Sequence, residues 1–337
     1  MCTGARLTPD AMSDRLPQLG LRLPNSGPFA TPAAILGVAD TAERLGYDTV
    51  WVHDHISWPK NELTHFATGS LEACTDQDPN FFESLLTLGV LAGRLSRVRL
   101  GIAGLVLPLR DPRILGKQLA TIDRLSGGRL IVGMGSGAKE HDFEVMGVPW
   151  AERGRIMNEY LAVLRGMFGE TQPMSRDGTR IKFAAGTFFP RPRGLRIWVA
   201  GRSGPAMDRA ARHADGWLTH VLSPSEYAVA YRELTERLAA AGRDASSFDT
   251  SLELFACVAP THEEAVAISR RSLTRRAEDQ VEANLVGTPE SVCEKLERYR
   301  EAGASHVELR LICHTVEQLE EMAARIAATA PRAAAAT

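Results

Sequence analysis

Apolar positions along this 337-residue chain follow two rhythms that take turns. Short runs rich in Val, Ile and Leu fall at 19–23, 49–52, 98–107, 129–134, 196–200, 216–219, 251–258 and 306–312, which reads as eight strands. Between most of them, apolar residues recur every third or fourth position. The segment 32–45 places Ile35, Leu36, Ala39, Ala42 and Leu45 along one stripe, the period of a helix with one buried face. Thr31 and Pro32 form an N-cap and first-turn pair for it, and Gly46 supplies the stop. The same rhythm predicts helices at 81–95, 112–125, 153–168, 205–213, 225–241, 263–275, 289–302 and 316–328.

Several strands, such as Leu130-Ile131-Val132, are continuous apolar runs, which suits a parallel sheet covered by helices. Strand count and length predict an α/β fold, a closed (β/α)8 TIM barrel, with a doubly wound open sheet as the alternative. In a barrel the chemistry belongs to the carboxyl ends of the strands and the loops that follow them. Two connections are long. The first, 54–80, follows the second strand and is expected to lie over the mouth as a substrate lid. The second, 169–194, carries 179–183 and 187–189 around a turn at Gly186 and is expected to form a small hairpin before strand 5. Residues 1–17 and the alanine-rich 330–337 offer no periodic apolar face. They are expected to be a disordered leader and tail around a single domain at 18–329.

Composition narrows the function class. The chain is 44% apolar and 24% charged with a net charge of −2, so a large core is affordable and nothing in the electrostatics favours nucleic acid or an anionic membrane surface. No apolar run reaches the length of a membrane span, and the first 18 residues lack a signal core, so a cytoplasmic location is expected. The five cysteines, Cys2, Cys74, Cys257, Cys293 and Cys313, are widely spaced without a C-x-x-C pair, implying reduced thiols and neither disulfides nor a zinc site.

Two glycine-punctuated stretches end apolar strands: Gly133-Met134-Gly135-Ser136-Gly137 and Ala200-Gly201-Arg202-Ser203-Gly204. Glycines let backbone amides approach a ligand, and a following helix N-terminus adds unpaired N–H groups and partial positive charge, which suits the phosphate of a cofactor. Neither has the G-x-G-x-x-G spacing, and a glycine turn also serves plain chain reversal. At the end of the second strand stands Trp51-Val52-His53-Asp54-His55, where alternation puts His53 and His55 on one side and Asp54 on the other. A rim histidine suits proton transfer near neutral pH, although the same residues could simply bond the loop backbone. His-x-His also suggests a metal, but Gly201-Arg202 after the fifth strand offers no ligand and Cys313-His314 after the eighth has no carboxylate beside it. Gly101 and Gly104 interrupt the third strand, marking a bulge against which a flat ring could stack, or relief of crowding inside the barrel. The run from Lys139 to Glu144 mixes acid, base and aromatic groups beside the first glycine cluster. Trp58, Phe66 and His141 are candidate substrate contacts, and Phe81, Trp150 and Trp217 are further candidates for apolar walls.

Together these pieces resemble the bacterial luciferase-like superfamily of flavin and deazaflavin oxidoreductases. The resemblance rests on 107–112 (Leu-Pro-Leu-Arg-Asp-Pro) and 120–130 (Ala-Thr-Ile-Asp-Arg-Leu-Ser-Gly-Gly-Arg-Leu) running into the glycine cluster, and on 151–161. It continues through 197–203, 209–217 and Val286-Gly287-Thr288-Pro289-Glu290, covering the chain from about Leu19 onward. The Asp-His pair and Arg110-Asp111-Pro112 look like the branch that uses coenzyme F420, a 5-deazaflavin, rather than FMN. The resemblance implies that His55, next to Asp54, lies beside the ring and handles a proton, and that Ala103-Gly104 backs the ring through a non-prolyl cis peptide. It further implies that Gly135, Ser136 and Gly137 lie near ring and tail, and that Ala200, Gly201, Arg202 and Ser203 cradle the phosphate. Ala138 stands where the sugar-phosphate dehydrogenase branch has a glutamate, and His53 replaces a usually small residue.

The expected function is F420-dependent hydride transfer between the deazaflavin C5 and a small organic substrate, with His55 assisted by Asp54 and the anionic tail near Arg110, Lys139 and Arg202. The alternatives are an FMN-dependent monooxygenase fed by a separate reductase and a non-catalytic flavin or deazaflavin carrier. Apolar residues to spare on the helices leave room for a homodimer.

Overall fold

The computed structural model describes residues 16–27, 29–57, 80–170, 173–272, 283–313 and 315–329. The expected leader up to residue 15, the tail 330–337, and Trp58 and Phe66 of the 54–80 connection lie outside the described residues.

Eight strands pair in parallel and close into a ring: Gln18–Arg22, Thr49–Val52, Arg99–Val106, Leu130–Gly135, Arg196–Ala200, Gly216–His220, Asp249–Val258 and His306–Leu311. The sixth strand pairs with the seventh, and the eighth with the first, so the sheet is a barrel and the open doubly wound alternative falls. The register follows the expected alternation. Leu19, Leu21, Val50, Val52, Leu252, Leu254, Val307 and Leu309 face outward into one large apolar layer shared with the helices.

The residues between them face inward. Trp51, Ala103, Ile131, Trp198 and Leu218 form a separate interior cluster, with the Trp51 and Trp198 rings 5.4 Å apart. Gly20 and Gly101 make room for this plug, because a Cβ at either would run into the Trp51 ring. Gly101 therefore answers to packing, and only Gly104 remains as a possible seat for a ligand.

Thr31 caps the first helix, Pro32–Arg44, by accepting from the Ala34 amide, as expected. The helix expected at 81–95 begins later, at Ser84, because Asn80–Phe81 pairs antiparallel with Ser26–Gly27 and Glu83 caps the helix through the Leu86 amide. The hairpin before the fifth strand is present but lies earlier than expected. Met174–Asp177 pairs with Lys182–Gly186, and the turn falls at 178–181 rather than at Gly186. Glu159 on the helix Arg153–Phe168 explains the shift, since its carboxylate accepts the amides of Arg180 and Ile181 and pins the turn to the helix. A short strand the sequence pattern did not assign, Leu285–Gly287, adds to the outer end of the seventh. No helix among the described residues is long and apolar enough to cross a membrane.

Candidate active site

The third strand skips a residue against the fourth between Ala103 and Leu105, and the Ala103–Gly104 peptide is cis. Gly104 lies close to two other small residues. A Cβ built on Gly104 would lie 3.6 Å from the Ala200 Cβ, and one built on Gly135 would lie 3.8 Å from it. Gly104, Gly135 and Ala200, all partly exposed, thus make a floor without side chains longer than a methyl group. A planar ring fits such a surface, and any longer side chain there would fill the seat.

At the edge of this floor Gly137 has φ +93, and a Cβ there would meet the Phe143 ring. Glycine alone lets the loop turn closely over the helix Glu140–Val145, whose Phe143 packs with Val106 and Leu109. The same helix delivers Asp142, which is 1% exposed. Its Oδ2 accepts from His55 Nδ1 at 3.0 Å, and its Oδ1 accepts from the Ser57 amide at 2.9 Å. Burial works against ionisation of Asp142, but the bonds from His55 and Ser57 outweigh it and hold the carboxyl below the usual aspartate range. An ionised Asp142 only accepts, so Nδ1 of His55 carries the hydrogen and Nε2 is the atom able to exchange a proton.

Asp54, expected to assist His55, does something else. It is 3% exposed, takes the Arg110 guanidinium in a two-point pair at 2.6 and 2.7 Å, and accepts from Ser84 Oγ and the Val106 amide. The reason is alternation: at the strand end Asp54 points away from the histidines, toward the helix Ser84–Arg94 and the third strand. Arg110 is correspondingly committed to this clamp and not to a cofactor tail. Replacing Arg110 by Ala leaves a buried carboxylate without its counter-charge and should cost about 3 kcal/mol of stability, read as a lower urea midpoint at unchanged m-value.

His53 and His55 do share a side. Their rings pack on Phe81 at 5.2 and 5.8 Å between centroids, but His53 is tied to Ser26 Oγ and serves the mouth's framework. Asn25, wholly buried, bonds both the amide and the carbonyl of His53 and the carbonyl of Phe82, joining three chain segments. Its role left no pattern in the sequence. His141 is turned outward against Glu144 at 3.9 Å, and its neighbour Asp142 reaches the site instead.

The second glycine stretch forms a turn at the fifth strand's end, with Gly201 at φ +113 and Ser203 in the N-cap position of the helix Gly204–His213. Trp217, named as a possible apolar wall, is wholly buried behind this turn and donates from Nε1 to the Gly201 carbonyl at 2.7 Å. The turn is thereby held with Arg202 and Ser203 exposed beside the Gly204 amide that opens the helix, an arrangement suited to a phosphate.

Because the folded pKa of Asp142 is depressed, its contribution to stability is present above about pH 4 and lost as pH falls through the folded value. Asp142→Asn should cost about 1–3 kcal/mol at pH 7. The gap in melting temperature from the unaltered protein should narrow as pH falls below about 4, and a gap that does not narrow there would contradict the charged link.

Residues 15–284 match the family model for luciferase-like monooxygenases. The chain is 34% identical over 232 residues to an uncharacterized protein of Mycobacterium tuberculosis, spanning 67% of this chain and 79% of that protein. It is 26% identical over 258 residues to the 5,10-methylenetetrahydromethanopterin reductase of Methanolobus tindarius, spanning 76% of this chain and 69% of the reductase. An F420-dependent secondary alcohol dehydrogenase, solved with an F420–acetone adduct, superposes with a TM-score of 0.76 at 18% identity, covering 94% of this chain and 100% of that one. Likeness at that identity concerns the fold.

Proposed function

From the premise that this chain belongs to the luciferase-like monooxygenase family, and is an oxidoreductase of that family, we propose that it is an F420-dependent enzyme moving hydride to or from a small organic substrate. The observation that carries the reading is the His55–Asp142 couple, held by the helix whose Phe143 packs under Gly137, next to Gly135 of the floor. Coenzyme F420, when bound, supplies a ring carbon that takes or gives hydride. The floor would hold that ring flat, and the amides around Arg202 and Ser203 would hold its phosphate. His55 Nε2 would take the proton from a substrate hydroxyl, or give it to a carbonyl oxygen, as hydride leaves or arrives on the adjacent carbon. Asp142 keeps the ring oriented and supports the charged imidazolium that proton uptake creates. Asp54 and Arg110 hold the strand ends that carry these groups.

A floor of this kind suits the flat ring of either a deazaflavin or FMN, so the test separates the two. Purified protein is mixed with reduced F420 or reduced FMN and panels of ketones, with alcohols offered to the oxidised forms, while absorbance and oxygen uptake are followed. The reading expects F420 turnover without oxygen consumption. Oxygen uptake that requires reduced FMN would replace it with a monooxygenase, and tight binding without turnover would support a carrier.

A further inference from the structure

On the outside of the barrel, the helix Ser84–Arg94 turns an apolar line to water. Leu86 is 74% exposed and Val90, one turn on, is 61% exposed, with the exposed Gly93 continuing the line. No residue from Ser84 through Gly93 is charged. The outer helix Pro224–Ala240, by contrast, carries Glu226, Arg232, Glu233, Glu236 and Arg237, the pattern of a helix whose outer face meets only solvent. Beside Ser84–Arg94 packs the helix Pro112–Leu125, which adds Ile114 at 62% and Leu125 at 65% exposure. The exposed and uncharged Gln118 and Thr121 lie between them on the same helical line.

This line is complementary to itself. A Cβ built on Gly89 or Gly93 would meet nothing within 4 Å, so both glycines are notches in the outer surface and neither answers to internal packing. A second copy of the helix laid antiparallel, about a two-fold axis passing between Gly89 and Val90, sets Leu86 of each copy over Gly93 of the other and Val90 over Gly89. The charges at the ends match in the same arrangement. Glu83, the N-cap, and Arg94, in the last turn, are both exposed and stand three turns apart on one flank of the line, so the acid of each copy meets the base of the other and the helix dipoles run opposed. A parallel arrangement would set Leu86 on Leu86 and like charge on like charge.

We propose that this face binds a second copy of the chain, forming a two-fold symmetric homodimer in which the two Ser84–Arg94 helices lie antiparallel and the two Pro112–Leu125 helices flank them. Leu86, Val90, Ile114 and Leu125 each leave on the order of 100 Å² open, so covering all four on both copies removes about 800 Å² of apolar surface from water. That is half of the roughly 1,600 Å² of a stable interface before the surrounding atoms are counted. The pairing also reaches the site. Ser84 opens the helix and its Oγ donates to Asp54 at 2.9 Å, so the dimer braces the element that supports the end of the second strand beside His55.

The test measures the mass of the full chain in solution by sedimentation equilibrium and maps the contact by cysteine cross-linking. At micromolar concentration the unaltered protein should have twice the mass of one chain. Leu86→Glu combined with Val90→Glu should give a monomer with an ordinary melting curve, since both positions are exposed, and Gly93→Phe, which fills the notch, should weaken association at least about 10-fold. Val229→Glu, at an exposed apolar position on Pro224–Ala240, should leave the dimer intact. Under mild oxidation Leu86→Cys should link to Gly93→Cys after subunit exchange in a mixed sample and not to itself, which decides the matter even if the glutamate variant does not fold. An unaltered protein that stays monomeric would overturn the proposal and leave the face to a different partner, and a dimer that survives both glutamates would place the contact elsewhere. Self-linking of Leu86→Cys would overturn the antiparallel pairing.

Discussion

Ala200→Phe is expected to lower affinity for the cofactor by about 100-fold or more, some 2.7 kcal/mol, while leaving the fold in place. Ala200 ends the fifth strand with its methyl group against the positions of Gly104 and Gly135, and it is only partly buried. A benzyl group there cannot enter the interior, which Trp51, Trp198 and Leu218 already fill, so it must rise into the space above the floor. That is the space assigned to the ring. Titration followed by cofactor fluorescence, with a melting curve on the same sample, separates lost binding from lost structure. Ala200→Ser, which adds one atom, should bind within a few-fold of the unaltered protein. Unchanged affinity in the phenylalanine variant would move the ring elsewhere.

His55→Ala should have its largest effect on turnover. Removing a positioned proton-transfer group costs about 10²–10⁴-fold in rate. On the proposed seating, with the ring on the floor and the phosphate at the Arg202 turn, the dissociation constant of the cofactor should move less than about threefold. His55→Gln keeps a polar side chain but cannot exchange the proton at neutral pH, so it should resemble the alanine variant in rate. Asp142→Asn should lie between these and the unaltered enzyme, since the imidazole remains but its orientation and counter-charge are weakened. Single-turnover measurement with pre-bound cofactor isolates the step. A rate within threefold of normal in His55→Ala would remove His55 from the chemistry and leave the couple as architecture.

The barrel was legible because all eight strands carry an outward apolar face that a pattern search finds, and the bounds differ from expectation by only a few residues. The inward face was harder to read. Alternation in His306-Val307-Glu308-Leu309-Arg310 looks like a strand with one wet side, yet in a closed barrel that side is the interior, and Glu308 ends up with no exposure. The sequence placed the strand-end residues locally but not their distant partners. His55 was found at its strand end, but chain adjacency suggested Asp54 as its partner, whereas the partner, Asp142, lies 87 residues away. Gly101 and Gly104 looked alike in the sequence and have different causes, one yielding to Trp51 and the other forming the floor. Part of the segment that made the family resemblance most specific is architectural. Asp123 accepts the Gly194 amide, and Arg129 reaches the carbonyls of Ser126 and Leu95, tying together the base of the barrel.

A crystal structure of the protein soaked with F420 tests the central claim most directly. The account predicts the deazaflavin ring lying flat on Gly104, Gly135 and Ala200 with its reactive edge beside His55 and its phosphate on the amides around Arg202 and Ser203. A ring bound at any other surface, or density that leaves this floor bare at saturating cofactor, would contradict it.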